Sequence, residues 1–147
     1  MGLELVKLRL GKDKGASQPF SRSGHSTDPQ HAKIVEALAK ALRNIGFELD
    51  SIDSSVSADL VARRGMQTVL FEIKPDNSPC AFYGAIGQLL VYNRTLKVTR
   101  CFVVAPGYPE SNADIFEQVL REMGAELIEV QLQNRDYVFP NLDKALV

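Results

Sequence analysis

Residues 58–74 read ADLVARRGMQTVLFEIK, and this stretch decides the fold. Two runs, 58–64 and 67–74, flank Gly65-Met66, and Val69-Leu70-Phe71 suits a pleated, half-buried surface. A glycine followed by one other residue fits a two-residue type II′ turn, so the runs are predicted to form a hairpin. That turn pairs Arg64 with Gln67, and counting outward sets Asp59 opposite Glu72. Cross-strand partners share a face and come within reach of one ion. Side chains alternate along a strand, so Glu72 and Lys74 share a face while Ile73 points into the core. Two carboxylates and one ammonium are therefore expected to converge at an edge of the sheet.

Upstream of the hairpin, Asp28-Pro29 opens a helix: Asp28 as N-cap, Pro29 at the first helical position. Ile34, Val35, Leu38, Leu42 and Ile45 recur at helical spacing, and Gly46 ends the helix in a left-handed conformation. Residues 47–52 read as a strand. Downstream, 74–79 form a loop with a proline at each end, and 81–95 a second helix with Ile86, Leu89 and Leu90 on its apolar face. RCFVVA at 100–105 is a short apolar strand of the kind found inside a sheet. A third helix carries Phe116, Val119, Leu120 and Met123 and stops at Gly124; 126–132 follow as a strand and 136–139 as a short one. The order predicts an α/β fold with a mixed sheet and helices on both faces. Residues 3–10 alternate apolar and polar as a bulged strand. Residues 11–27 form a long loop, a mobile surface segment or an arm that brings Lys12, Lys14, Arg22 and His25 to a substrate.

The 147 residues suit one domain, with a core at 29–105 and a C-terminal extension at 106–147. Apolar residues make up 45% and charged residues 24%, which fits a globular chain that needs no disulfide or zinc staple. Cys80 and Cys101 form no CxxC pair and read as structural, in keeping with a reducing compartment. No stretch reads as a signal peptide or a bilayer span, so a cytoplasmic protein is expected. The net charge of −1 does not by itself favour nucleic acid. Its distribution matters more. Between 60 and 100, Arg63, Arg64, Lys74, Arg94, Lys97 and Arg100 face only Glu72 and Asp76, whereas beyond 100 acids outnumber bases. A phosphate-binding face and ordinary solvated charge both fit that pattern.

Two carboxylates held side by side repel unless one is protonated or a cation lies between them. Mg²⁺ relieves the repulsion, keeps open positions for water and phosphate oxygens, and makes its water more acidic. Lys74 beside it suits the orientation of an attacking water or the charge of a phosphoryl transition state. The pattern Asp59 followed by Glu72-Ile73-Lys74 resembles the PD-(D/E)XK, or restriction-endonuclease-like, nuclease superfamily. Ala58 stands where that family usually has proline. The family order of helix, three strands, helix, strand matches 29–105. Gln88-Leu89-Leu90-Val91-Tyr92 resembles the QxxxY element of part of the superfamily, with Gln88 and Tyr92 one turn apart on one helix face.

The resemblance implies a Mg²⁺-dependent nuclease, with Mn²⁺ as a substitute, hydrolysing DNA rather than RNA by in-line attack of water. It implies Asp59, Glu72 and Ile73 at the metal, with Lys74 and Gln88 in catalysis. Tyr92 and Arg94 would contact substrate. Gln88 also reads as a surface amide, and Tyr92 as a tyrosine packing its ring. Relatives often place a glutamate of the first helix at the metal. Glu36 is the nearest candidate, but it falls roughly opposite the Ile34-Leu38-Leu42 face and is expected in solvent. His31 lies on the apolar side and reads first as a partly buried histidine and second as one that points toward the site. The competing functions are an inactive nuclease-fold module that binds nucleic acid or assembles with a partner, as a homodimer for example, and an interaction protein in which Glu72 and Lys74 form a structural ion pair.

Overall fold

A computed structural model describes residues 28–50 and 58–147. The strand expected at 3–10, the loop or arm at 11–27 and the end of the strand expected at 47–52 lie outside the described residues.

Helix α1 (Pro29–Asn44) starts as the sequence requires: the Asp28 carboxylate accepts the Gln30 N–H at 2.9 Å, and Pro29 occupies the first turn. Its stripe of Ile34, Leu38 and Leu42 is buried, and the chain turns through Gly46 at φ 92°. Strands β1 (Glu48–Leu49), β2 (Leu60–Arg64) and β3 (Gln67–Ile73) follow. The β2–β3 register is the expected one, from Arg64↔Gln67 to Leu60↔Phe71. Gly65 takes φ 60° at the turn, and its neighbour Met66 does not share a positive φ. That combination is the type II′ geometry that glycine accepts without steric cost.

Helix α2 (Pro79–Thr95) begins two residues earlier than expected. Ser78 caps it by accepting the Ala81 N–H at 3.1 Å, so Ser78-Pro79 repeats the Asp28-Pro29 signal. Strand β4 (Arg100–Ala105), helix α3 (Ala113–Glu122) and strand β5 (Ala125–Glu129) complete the sheet. Its order is β1-β2-β3-β4-β5, antiparallel through β3 and parallel from β3 to β5. The strand expected at 126–132 breaks after Glu129. Beyond it β6 (Gln131–Gln133) and β7 (Asp136–Val138) form a separate hairpin, and a short helix α4 (Leu142–Ala145), which no local pattern announces, closes the described chain. Asn141 ties this end down: it accepts the Glu129 N–H at 2.8 Å and donates to the Leu127 carbonyl at 2.9 Å.

Alternation along the strands divides the core in two. Val69, Phe71 and Ile73 of β3 pack with Ile34, Leu38 and Leu42 of α1 and with Leu142 and Leu146. Leu70, with Val61 and Val103, packs under Phe82, Ala85 and Leu89 of α2 and Phe116 and Leu120 of α3. Phe71 and Phe102 stack across β3 and β4 with ring centroids 5.6 Å apart. The mixed sheet flanked by helices on both faces is the architecture the sequence implies. Cys101 is buried in β4, and Cys80 is exposed at the start of α2, so only Cys101 has the structural role expected of both. Among the described residues no helix is long and apolar enough to cross a membrane.

Candidate active site

Asp59 immediately precedes β2, and Glu72 lies one residue from the end of β3. Extending the register by one step places the two opposite each other, as the turn count requires. The Asp59 carboxylate fastens the end of the pairing by accepting the Ile73 N–H at 2.8 Å. In an extended strand a residue's N–H and C=O point to the same side, so the Ile73 carbonyl faces the Asp59 side as well. Contrary to the expectation from sequence, the group does not lie at a lateral edge of the sheet, because β3 is the middle strand of five. It sits at the strand ends, where the two core layers meet.

Glu72 is the single charged residue among the buried ones described, with 1% of its surface exposed. It shares the Leu70 face, beneath α2. Burial, then the Asp59 carboxylate beside it, pushes its carboxyl up to about 9, with the Lys74 ammonium pulling the other way. Oε1 lies 3.5 Å from Lys74 Nζ, while Oε2 is buried and meets no fixed donor; a hydrogen bond between the Glu72 and Asp59 carboxyls, which needs a proton on Glu72, helps push the Glu72 carboxyl up. Such an orphaned carboxylate oxygen is costly unless a proton or a cation satisfies it.

Lys74 Nζ donates to Gln88 Oε1 at 2.8 Å. Gln88 thus binds the lysine, and the helix carrying it is the one that Ser78 starts. Gly84, one turn earlier, lies beside the lysine: a Cβ there would stand 3.7 Å from Nζ, an ordinary van der Waals contact. From the opposite layer His31 Nε2 reaches Asp59 Oδ1 at 3.1 Å, each side chain 15% exposed. His31 is partly buried, as its place on the apolar side of α1 implies, and it touches the carboxylate pair. Its signal in the sequence was its position in the first turn of that helix, just after the Asp28 cap.

Other candidates lie elsewhere. Glu36 is exposed on the outer side of α1, in a groove with Arg135 and Tyr137 of the β6–β7 hairpin, so it is not at the carboxylate pair. Tyr92 packs partly buried against the α2 core layer. Arg94 is exposed, six residues beyond Gln88, about 9 Å further along α2 and on a different side of it, so it is not part of this cluster. The basic stretch is largely committed to structure. Arg63 pairs with Asp50 at 2.8 Å, and Arg100 pairs with Glu126 at 3.2 Å and lies over the Phe102 ring. Arg64 donates to the Ile45 and Leu146 carbonyls and lies over Phe47.

The donor set discriminates among ions. Among the described residues no group of three or more His, Cys, Asp or Glu is arranged as a metal cage, which a structural zinc would require. Magnesium needs less: one or two carboxylates, with water and phosphate oxygens in the other positions. The close pair of Asp59 and Glu72, with the orphaned Oε2, fits that requirement.

No protein-family model matches the chain, and no curated protein matches it. Among solved structures it is similar to a repair endonuclease from Pyrococcus abyssi, with a TM-score of 0.52 and 16% sequence identity. The match covers 73% of this chain and 49% of that one, so the chain spans about half of the neighbour's length. The likeness is one of fold: the mixed α/β sheet is restriction-endonuclease-like.

Proposed function

We propose that this protein is a Mg²⁺-dependent phosphodiesterase of the PD-(D/E)XK type that cuts nucleic acid, DNA rather than RNA. The observation that carries the reading is the close pair of carboxyls, Glu72 buried against Asp59 and next to Lys74, with no fixed donor at Glu72 Oε2. A structural ion pair would not require a second carboxylate in the same place. The structural neighbour is a repair endonuclease, which agrees with this reading.

Asp59 and Glu72 would hold the cation, with the Ile73 carbonyl on the same side. When bound, the cation neutralises phosphate charge and makes a coordinated water a better nucleophile. Lys74 carries a fixed positive charge to the spot where negative charge builds on the phosphate oxygens during in-line attack. Gln88 positions that ammonium, and Glu72 Oε1 balances it from below. His31 bonds one Asp59 oxygen and the Ile73 N–H the other, so the aspartate is held in one orientation before any ligand arrives. Such preorganisation removes reorganisation cost from the reaction. Mn²⁺ would substitute for Mg²⁺.

Calorimetric titration with Mn²⁺ tests the site itself. The wild-type protein is expected to bind the ion, and Asp59→Asn to bind it at least about tenfold more weakly, as loss of a charged ligand implies. Equal heats from both proteins, or none from either, would leave Glu72 and Lys74 as an ion pair and remove the basis for catalysis. Salt-sensitive DNA binding without metal uptake would point instead to an inactive module of the same fold.

A further inference from the structure

The outer side of α1 and the β6–β7 hairpin enclose a groove of about 420 Å³ that the catalytic reading leaves unused. Lys33, Lys40 and Arg43 line it from the helix and Arg135 from the hairpin, against Glu36 and Asp136. None of these four cations forms an ion pair with a described residue. Elsewhere Arg63, Arg100 and Arg121 are each paired with a carboxylate. The groove therefore keeps an excess of positive charge on a chain whose net charge is −1.

The hairpin adds an independent observation. Gln133↔Asp136 closes a two-residue turn in which Asn134 and Arg135 take φ 50° and 69°. Turns of this kind favour Asn-Gly, because Cβ is crowded at positive φ, a cost that glycine avoids and asparagine tolerates better than most residues. Here the second position carries arginine, and its side chain lines the groove. Tyr137, two residues on, packs against the α1 core layer and fixes the hairpin in place. Strain held by surrounding packing commonly marks a functional contact.

We propose that this groove binds the sugar-phosphate backbone of the nucleic acid at a distance from the cut. The proposal rests on the phosphodiesterase reading. Helix α1 connects the two places: His31 touches Asp59 at one end, and Lys40 and Arg43 stand about 14 and 18 Å further along its axis. At a rise of about 3.4 Å per nucleotide of duplex, a substrate reaches Lys40 and Arg43 only if it extends roughly four to five nucleotides from the scissile bond, whereas Lys33, about 3 Å along the axis from His31, meets a shorter one. The far end of the groove, at Lys40 and Arg43, thus selects for substrate length.

The test compares a long duplex with a dinucleotide, using wild type, Lys40→Ala/Arg43→Ala and Arg135→Gly. For the long duplex, KM is expected to rise roughly tenfold in the double variant with kcat unchanged, and the slope of log affinity against log salt to fall by about one per cation removed. Hydrolysis of the dinucleotide stays at the wild-type rate. Arg135→Gly is expected to raise the urea midpoint and yet weaken binding of the long duplex, whereas a merely structural arginine would move stability alone. Variants that bind the long duplex as wild type does, with the same salt slope, overturn the groove while the catalytic reading stands. The groove is overturned likewise if an acidic peptide binds it and the duplex does not. A wild-type protein that cleaves neither substrate overturns both.

Discussion

At the scale of single residues, the buried Glu72 leaves a thermodynamic signature. Its carboxyl is pushed from 4.5 to about 9 by burial and by Asp59. Between those values the folded chain holds a proton that the unfolded chain has released. The resulting stability is complete below 4.5 and is lost as pH rises through about 9. Urea unfolding in EDTA across this window is expected to show wild-type stability falling as pH rises. Glu72→Gln, which has nothing to ionise there, should lose most of that slope. Mg²⁺ or Mn²⁺ should restore wild-type stability at the alkaline end, because the ion displaces the proton on binding. Parallel pH profiles for the two proteins would mean that Glu72 carries no special electrostatic burden. Of the residues around it, Lys74 and Asp59 can be placed from the strand count alone. The bonds His31–Asp59 and Gln88–Lys74 cannot, since each joins elements whose relative packing no local pattern encodes.

At the scale of elements, α2 presents a contrast between propensity and position. Gly87 lies in the interior of this helix, exposed, with no positive φ and nothing within 4 Å of where a Cβ would stand. Neither backbone nor packing requires glycine, so Gly87→Ala is expected to stabilise the protein by about 0.5–1 kcal/mol, read by chemical denaturation. A loss of stability would show that the helix depends on a contact not visible at that position. The elements themselves are largely legible. The Asp28-Pro29 cap, the Gly65-Met66 turn and the apolar RCFVVA strand carry strong local signals, and each element forms where they point. The differences have physical causes. Two prolines bracket 75–79 and favour a loop through Pro79, yet Ser78-Pro79 is as sound a helix start as Asp28-Pro29. The strand from 126 runs only to Glu129, because the Asn134-Arg135 turn folds 131–138 back on itself. Helix α4 is a single turn held by Asn141, and its stability comes from tertiary contacts with β5 rather than from its own sequence.

At the scale of the whole molecule, the sheet separates two core layers, and the candidate site lies at the strand ends where both contribute. His31 comes from the α1 layer, Gln88 from the α2 layer, and Asp59 and Glu72 from the antiparallel strands between them. In the basic stretch at 60–100, Arg63, Arg64 and Arg100 are tied up in ion pairs and ring contacts. Under the proposed function, affinity for a polyanion would draw on a cation held at the site, on Arg94 and Lys97, for which no ion pair with a described residue is seen, and on the cations along α1. The central claim is that Asp59 and Glu72 together make a metal-dependent phosphodiesterase. It is tested most directly by incubating wild type and Glu72→Gln side by side with single-stranded, double-stranded and branched DNA and with RNA, in Mg²⁺, in Mn²⁺ and in EDTA. Wild type is expected to cleave at least one DNA substrate only when metal is present, and Glu72→Gln to cleave none. Cleavage by Glu72→Gln at the wild-type rate, or cleavage by wild type undiminished in EDTA, would contradict the claim.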